Sequence, residues 1–369
     1  MKRAEGWLAS RWQRLDGPGR IAGTDLARGL AVLGMFAAHL LALPDFALAD
    51  AATWLGVADG RSSILFATIA GVSIGLLSGG ARPAEGAQLR AVRARLLVRA
   101  MFLWLLGALL IVTGVPVYVI LPAYAFLFLL SIPLVPLSAR VLLPLAAVLA
   151  VVMPFVQVWV DDLPFWGEEA GEGLALAIGW HYPFLTWIAF IVAGMGFARL
   201  DVRRGVVQMW MLVVGAVLAA VGYGLNAASG ADEASENVSY WSRLWTARPH
   251  STGLLEVIGS GGFAIAVIGA CLLLCRTIVR YPVVPLRAVG AMPLTAYTAQ
   301  IVAWAIVAAY TLGDTGDLPG FRALAPFAPF ALWTIAGCTA WALLVGRGPL
   351  EWTMERLSRA FSRPVTPDS

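Results

Sequence analysis

Charge is scarce in this sequence, and so are the residue types on which much soluble chemistry depends. Only 13% of the 369 residues are Asp, Glu, Lys or Arg, Lys2 is the sole lysine, and there are three cysteines and three histidines. With 60% apolar residues and a mean hydropathy of +0.79, a soluble fold could not cover its own surface. Cys271, Cys275 and Cys338 give no disulfide framework, and a CxxxC pair without a nearby histidine makes a poor metal site. They read as small apolar packing residues, and no metal is expected. P-loop, HExxH and CxxC motifs are missing, so nucleotide hydrolysis and zinc chemistry have no anchor. No interleaving of basic and aromatic residues points to nucleic acid.

What is present is a series of long, nearly uncharged runs, each able to cross a bilayer. Ten spans fit: 26–43, 62–80, 97–114, 117–137, 141–160, 182–198, 206–227, 253–275, 288–311 and 327–346. The expected fold is an all-α polytopic membrane bundle with both termini cytoplasmic. That arrangement puts 21 of the 26 basic residues in inner segments, leaving Arg61, Arg243, Arg248 and Arg322 outside and Arg28 at the inner end of span one. A bias this strong sets orientation. The acidic groups Asp161, Asp162, Glu168, Glu169, Glu172, Asp232, Glu233 and Glu236 then lie outside. The ALAD stretch at 47–50 resembles a signal-peptide cleavage site, but the preceding apolar run is too long for one, and its removal would leave an odd span number.

One membrane domain over 23–347 is expected, flanked by a basic N-terminal segment, 1–22, and a cytoplasmic tail, 348–369. Trp7, Leu8, Trp12 and five basic groups suit the first segment to an interfacial helix on anionic lipid. The basic stretch 81–99 reads as a loop that either orients the chain or holds a phosphate-bearing ligand. GVSIG at 71–75 is a small-xxx-small pattern for close helix approach. Pro122 and Pro293 are expected to kink their helices.

The chemistry-bearing residues are unevenly placed. At about 100° per residue, Asp25, Arg28 and His39 fall on one stripe of span one, with Arg28 and His39 roughly 16 Å apart. Ionisable groups in a span face protein or water. His39, His181 and His250 all map to the outer half, as do Asp59, Arg61 and Glu256. Glu256, in hydrocarbon with no local cation, calls for a partner among His39, His250 and Arg61, with Ser260 one turn along its face. Thr295, Tyr297 and Gln300 put polar atoms at mid-depth, where a bundle interior must satisfy them.

The segments DLARGLAVLGMFAAH (25–39), GRSSILFATIAGVSIG (60–75), GAMPLTAYTAQ (290–300) and GPLEW (348–352) resemble the YeiB-like bacterial membrane proteins, a family related to heparan-alpha-glucosaminide N-acetyltransferase within a transmembrane acyltransferase superfamily. The resemblance implies an acyl-CoA donor entering from the cytosol and an extracytoplasmic acceptor such as a sugar or glycolipid, in a bacterial plasma membrane. Asp25, Arg28 and Gly29 match the shared start of span one, and Asp59 matches an acidic residue entering span two. The related enzyme has its catalytic histidine in the loop after span one, whereas residues 44–58 here contain none. Histidine suits acyl transfer because its pKa lies near neutrality, and a carboxylate on its other nitrogen would fix the tautomer. The roles expected are therefore His39 as base or acyl carrier with Asp59 or Glu256 orienting it, and Arg61, His181, His250, Ser260, Tyr297 and Gln300 at the acceptor. Asp25, Arg28, Arg90, Arg93, Arg95 and Arg99 are expected on the donor side. Membrane lipid, acyl-CoA and the acceptor are the expected partners, with a homodimer left open. The competing expectation is a proton-coupled secondary transporter of a small molecule or lipid precursor.

Overall fold

The computed structural model describes residues 12–13, 15–17, 19–47, 49–230 and 239–361. The interfacial helix expected over the first 20 residues falls mostly outside them, as do Asp232, Glu233 and Glu236. Every regular element among the described residues is helical. The main helices are α1 (Ala22–Leu40), α2 (Arg61–Leu77), α3 (Gly86–Ile111), α4 (Leu121–Ser131), α5 (Ala139–Asp161), α6 (Glu169–Ile178), α7 (Phe184–Arg199) and α8 (Gly205–Ser229). There follow the short α9 (Tyr240–Leu244), then α10 (Leu254–Leu274), α11 (Val284–Ala291), α12 (Pro293–Thr311), α13 (Leu318–Ala323), α14 (Phe327–Leu344) and α15 (Pro349–Ala360).

The chain is a polytopic helical bundle. Among the described residues, six helices (α3, α5, α8, α10, α12 and α14) are long and apolar enough to cross a bilayer, or seven if α2 is joined to the 3-10 turn Ala51–Ala58, from which it bends by 44°. α4 and α7 are apolar but shorter. α7 has 16 residues, about 24 Å of helix, less than a hydrocarbon core of about 30 Å. It can be short because it is enclosed: most of its side chains, from Thr186 to Arg199, are buried. α1 carries the charged stripe and packs on α2, α10 and α11 in the same interior.

Close crossings of small residues build this interior. A methyl group at Gly71 would overlap the carbonyl of Ile191, and one at Gly194 the carbonyl of Thr68. The GVSIG pattern therefore seats α2 directly on α7, where backbones must approach for packing to bind helices in lipid. At the C-terminal ends of both helices Arg199 completes the joint by donating to the carbonyls of Gly75, Gly80, Val135 and Leu137 and to Ser78 Oγ at 2.7–3.2 Å.

Three local expectations change. Pro122 stands in the first turn of α4 and Pro293 opens α12; neither kinks a helix, because proline is tolerated where the amide would have no partner anyway. Pro293 instead marks a break at Met292 between α11 and α12. The stretch 81–99 is loop only to Glu85, since α3 starts at Gly86 and carries Arg90, Arg93, Arg95 and Arg99. The tail contains α15, fixed to the bundle through Glu351 and Glu355.

Candidate functional site

α1 brings two separate polar clusters to its two ends. At its N-terminal end, Asp25 accepts hydrogen bonds from Arg20 and from Arg28 Nη1, the latter at 3.2 Å. Arg28 also donates to the carbonyl of Gly290 at 2.8 Å and to Ser73 Oγ at 2.9 Å. The contact with Gly290 is possible because Gly29 and Gly290 meet backbone to backbone. Glu351 accepts from the amides of Leu294 and Thr295 at 2.8 and 3.1 Å and from Thr295 Oγ1 at 2.6 Å, capping the start of α12. The four segments quoted above thus converge on one network. Ser73 sits in a G-x-S-x-G string, yet it is no exposed nucleophile. It lies within α2, its hydroxyl donates to the Ile69 carbonyl, and it accepts from Arg28.

The arginines of α3 take no part in the hydrogen bonds given for Asp25, Arg28 and Glu351. Arg99 pairs with Glu355 at 2.9 Å. Two cavities do open at this end of the bundle, one bordered by Arg20, Arg347 and Trp352 and the other by Arg203, Arg276, Arg280 and Arg287; neither lining includes Arg90, Arg93, Arg95 or Arg99.

The opposite end of the bundle holds a cavity of about 510 Å³. Its walls come from the end of α1 (Met35, His39), the start of α2 (Asp59, Ser62, Ser63) and the loops before α4 (Tyr118), α7 (His181, Tyr182) and α10 (His250). The loops that precede the two short helices, α4 and α7, thus both contribute to its lining. All three histidines line it.

Each histidine has its own setting. Gln300 Nε2 lies 3.3 Å from His39 Nδ1, and Tyr297 presents its ring edge-on to the imidazole at 6.2 Å. Gln300 can offer that nitrogen either its NH2 or its C=O. Offered as C=O, it fixes the proton on Nδ1 and leaves Nε2 as a base. His181 stacks on Tyr118, ring centroids 3.5 Å apart, and burial lowers its pKa. His250 Nε2 lies 3.7 Å from Asp59 Oδ1.

The orienting groups are therefore distributed otherwise than depth alone suggested. Asp59 faces His250, and the polar partner of His39 is an amide. Glu256 touches no imidazole ring. It accepts from the backbone amides of His250 and Thr252, both at 2.7 Å, and from Ser251 Oγ at 3.1 Å. His250 and Thr252 have φ of 62° and 56°, a left-handed conformation that non-glycine residues rarely hold without compensation. Glu256 supplies that compensation and so presents His250 to the cavity. Arg61 and Ser260 stand behind the wall, both bonded to the Tyr223 hydroxyl, at 2.7 and 2.9 Å.

Other residues at this site had drawn little notice in the sequence. Asp161 accepts from Gln157 and Trp180, both at 2.8 Å, within the cavity lining. Arg322 also lines it, donating to the carbonyls of Ala38 and His39 at the end of α1. Asp161 was visible only as one of several outer acidic residues and Arg322 only as an exception to the charge bias. No short spacing ties either to α1.

Fold and site together define a multi-pass helical membrane protein with a histidine-lined cavity at one end and an arginine–carboxylate network at the other. More than half of the chain, residues 20–225, matches the family described as heparan-alpha-glucosaminide N-acetyltransferase, catalytic, and the chain belongs to that family. Residues 201–360 match the family described as protein of unknown function, DUF418. No curated protein and no solved structure matches the chain.

Proposed function

We propose that this protein transfers an acyl group from cytosolic acyl-CoA to a hydroxyl or amine presented at the outer cavity, in the plasma membrane of a bacterium. The observation that carries this reading is His39. It projects from α1 into a cavity shared with His181, His250 and Asp59, with Gln300 on its Nδ1. The family match supports acyltransferase chemistry in general; donor, acceptor and compartment belong to the proposal.

In the proposed step, His39 Nε2 takes the proton of the acceptor O–H or N–H as that atom attacks the thioester carbonyl. The C–S bond breaks, a C–O or C–N bond forms, and the departing thiolate, released at the same carbonyl carbon, takes the proton from His39 and leaves as the coenzyme A thiol. Gln300 holds the tautomer of His39. His250, paired with Asp59, and His181 serve as hydrogen-bonding groups for the acceptor. Arg20, Arg347 and Trp352, around an inner cavity, offer cationic and aromatic contacts for the donor nucleotide.

The test is label transfer from radiolabelled acetyl-CoA to a membrane extract, using purified protein in lipid nanodiscs. His39→Ala should lower the rate about 10²–10⁴-fold, the range for loss of a general base, while coenzyme A binding and thermal stability stay near wild type. Full transfer by His39→Ala would remove the assignment.

A further inference from the structure

We propose that the acceptor is an anionic lipid, with its charged head beside Arg322 and a hydrocarbon chain in a groove between α12 and α14. This deepens, and rests on, the acyl-transfer reading above.

The groove has a volume of about 520 Å³ and an almost wholly apolar wall: Ala296, Ala299 and Ala303 on one helix, Trp333, Gly337 and Cys338 on the other. Little of the chain covers it from outside. Of the residues of α14 only Cys338 and Ala342 are buried, and Trp333 is 78% exposed. In a bilayer this opening faces hydrocarbon, and an apolar groove there takes up alkyl chain, since water finds no partners in it.

The groove and the outer cavity are neighbours. Gln300 borders the groove, while its amide nitrogen meets His39, which lines the cavity. At the outer end, Phe330 of the groove stands edge-on to Phe321 at 6.0 Å, and the next residue is Arg322. A molecule lying in the groove thus has its outer end near Arg322 and its length passing Gln300.

Arg322 is half-buried and more thinly bonded than Arg28, Arg199 or Arg287. Arg28 and Arg287 each have a carboxylate, and Arg199 has five acceptors. Among the described residues Arg322 has no carboxylate within 4.0 Å. Its Nη2 makes two long contacts, at 3.2 and 3.4 Å, and its Nε, like that of Arg287, is buried without a partner. A guanidinium left with donor capacity in a recess of the membrane suits a phosphate or carboxylate. A free anion would answer to Arg322 but not to the groove, and a neutral lipid to the groove but not to Arg322. An anionic lipid answers to both.

Native mass spectrometry of the detergent-purified protein tests this, with phosphatidylglycerol and phosphatidylcholine of identical chains and sn-glycerol 3-phosphate as a soluble competitor. Wild type should retain phosphatidylglycerol preferentially. Arg322→Gln should reduce that retention about tenfold, the effect of losing hydrogen bonds to a charged group, and Arg322→Lys should restore part of it. Gly337→Leu should weaken both lipids; a Cβ there meets nothing within 4 Å, so the side chain fills the groove without disturbing packing. Equal retention of the two lipids by wild type would overturn the proposal. So would unchanged phosphatidylglycerol binding in both Arg322→Gln and Gly337→Leu, displacement by glycerol phosphate, or a dimer that Gly337→Leu dissociates without any lipid loss. His39→Ala should bind lipid as wild type does, so failed catalysis and failed lipid binding are separable.

Discussion

Glu256 shows how a carboxylate near a site can be indispensable without touching the chemistry. It holds two backbone amides and a hydroxyl of a loop whose φ angles are left-handed at two non-glycine positions. Glu256→Ala should cost about 2–3 kcal/mol, as expected for charge-assisted hydrogen bonds left unmade in a buried place. Glu256→Gln, which can still accept, should lose less. Both should lower transfer through misplacement of His250 and leave the pH profile of the remaining activity unchanged; a displaced pH profile in Glu256→Gln would mark it instead as an acid or base. At this scale the sequence was half legible. Helical phase and hydropathy brought His39, His181, His250 and Asp59 to one end of the molecule. They could not pair them, because who faces whom depends on rotation about axes in different helices. That is why Asp59 belongs to His250, and why the partner of His39 is Gln300, 261 residues away.

Helix crossings decide how deep the cavity lies. α2 and α7 touch backbone to backbone at Gly71 and Gly194, and the loop before α7 forms one wall of the recess. Gly71→Ala or Gly194→Ala must push the helices apart, an overpacking cost of about 1–3 kcal/mol, and should lower the unfolding temperature in detergent. Gly173→Ala, where a Cβ meets nothing within 4 Å, should be neutral or slightly stabilising through helix propensity. Equal effects at all three positions would refute the crossing. The small-xxx-small pattern predicted such a contact but not its partner. Apolar run length located the helices well, and each expected span contains one. What it could not register is that α4 and α7 stop short, since enclosed helices need not reach the headgroups.

For the molecule as a whole, arginine placement leads to a simple expectation about sidedness. In cells expressing a single added cysteine, Gly167→Cys should react with a membrane-impermeant maleimide and Arg356→Cys should react only after permeabilisation. The native Cys271, Cys275 and Cys338 are buried and should add little background. Reversed labelling would invert the bundle and move the histidine cavity to the cytosol.

The charged ends of α1 are separated by ten residues, Gly29 to Ala38, none of them titratable, and of these Val32 and Met35, on the stripe itself, are packed into the core. A thioester carbonyl that reaches His39 must therefore be carried past these apolar turns on the pantetheine arm, with the charged nucleotide left at the arginine end. In the proposed reaction the acceptor's proton passes through His39 to the sulfur at the same place, so a turnover moves no net charge across the membrane. The proposed acylation would then be indifferent to membrane voltage and governed instead by how far the arm of the donor can reach.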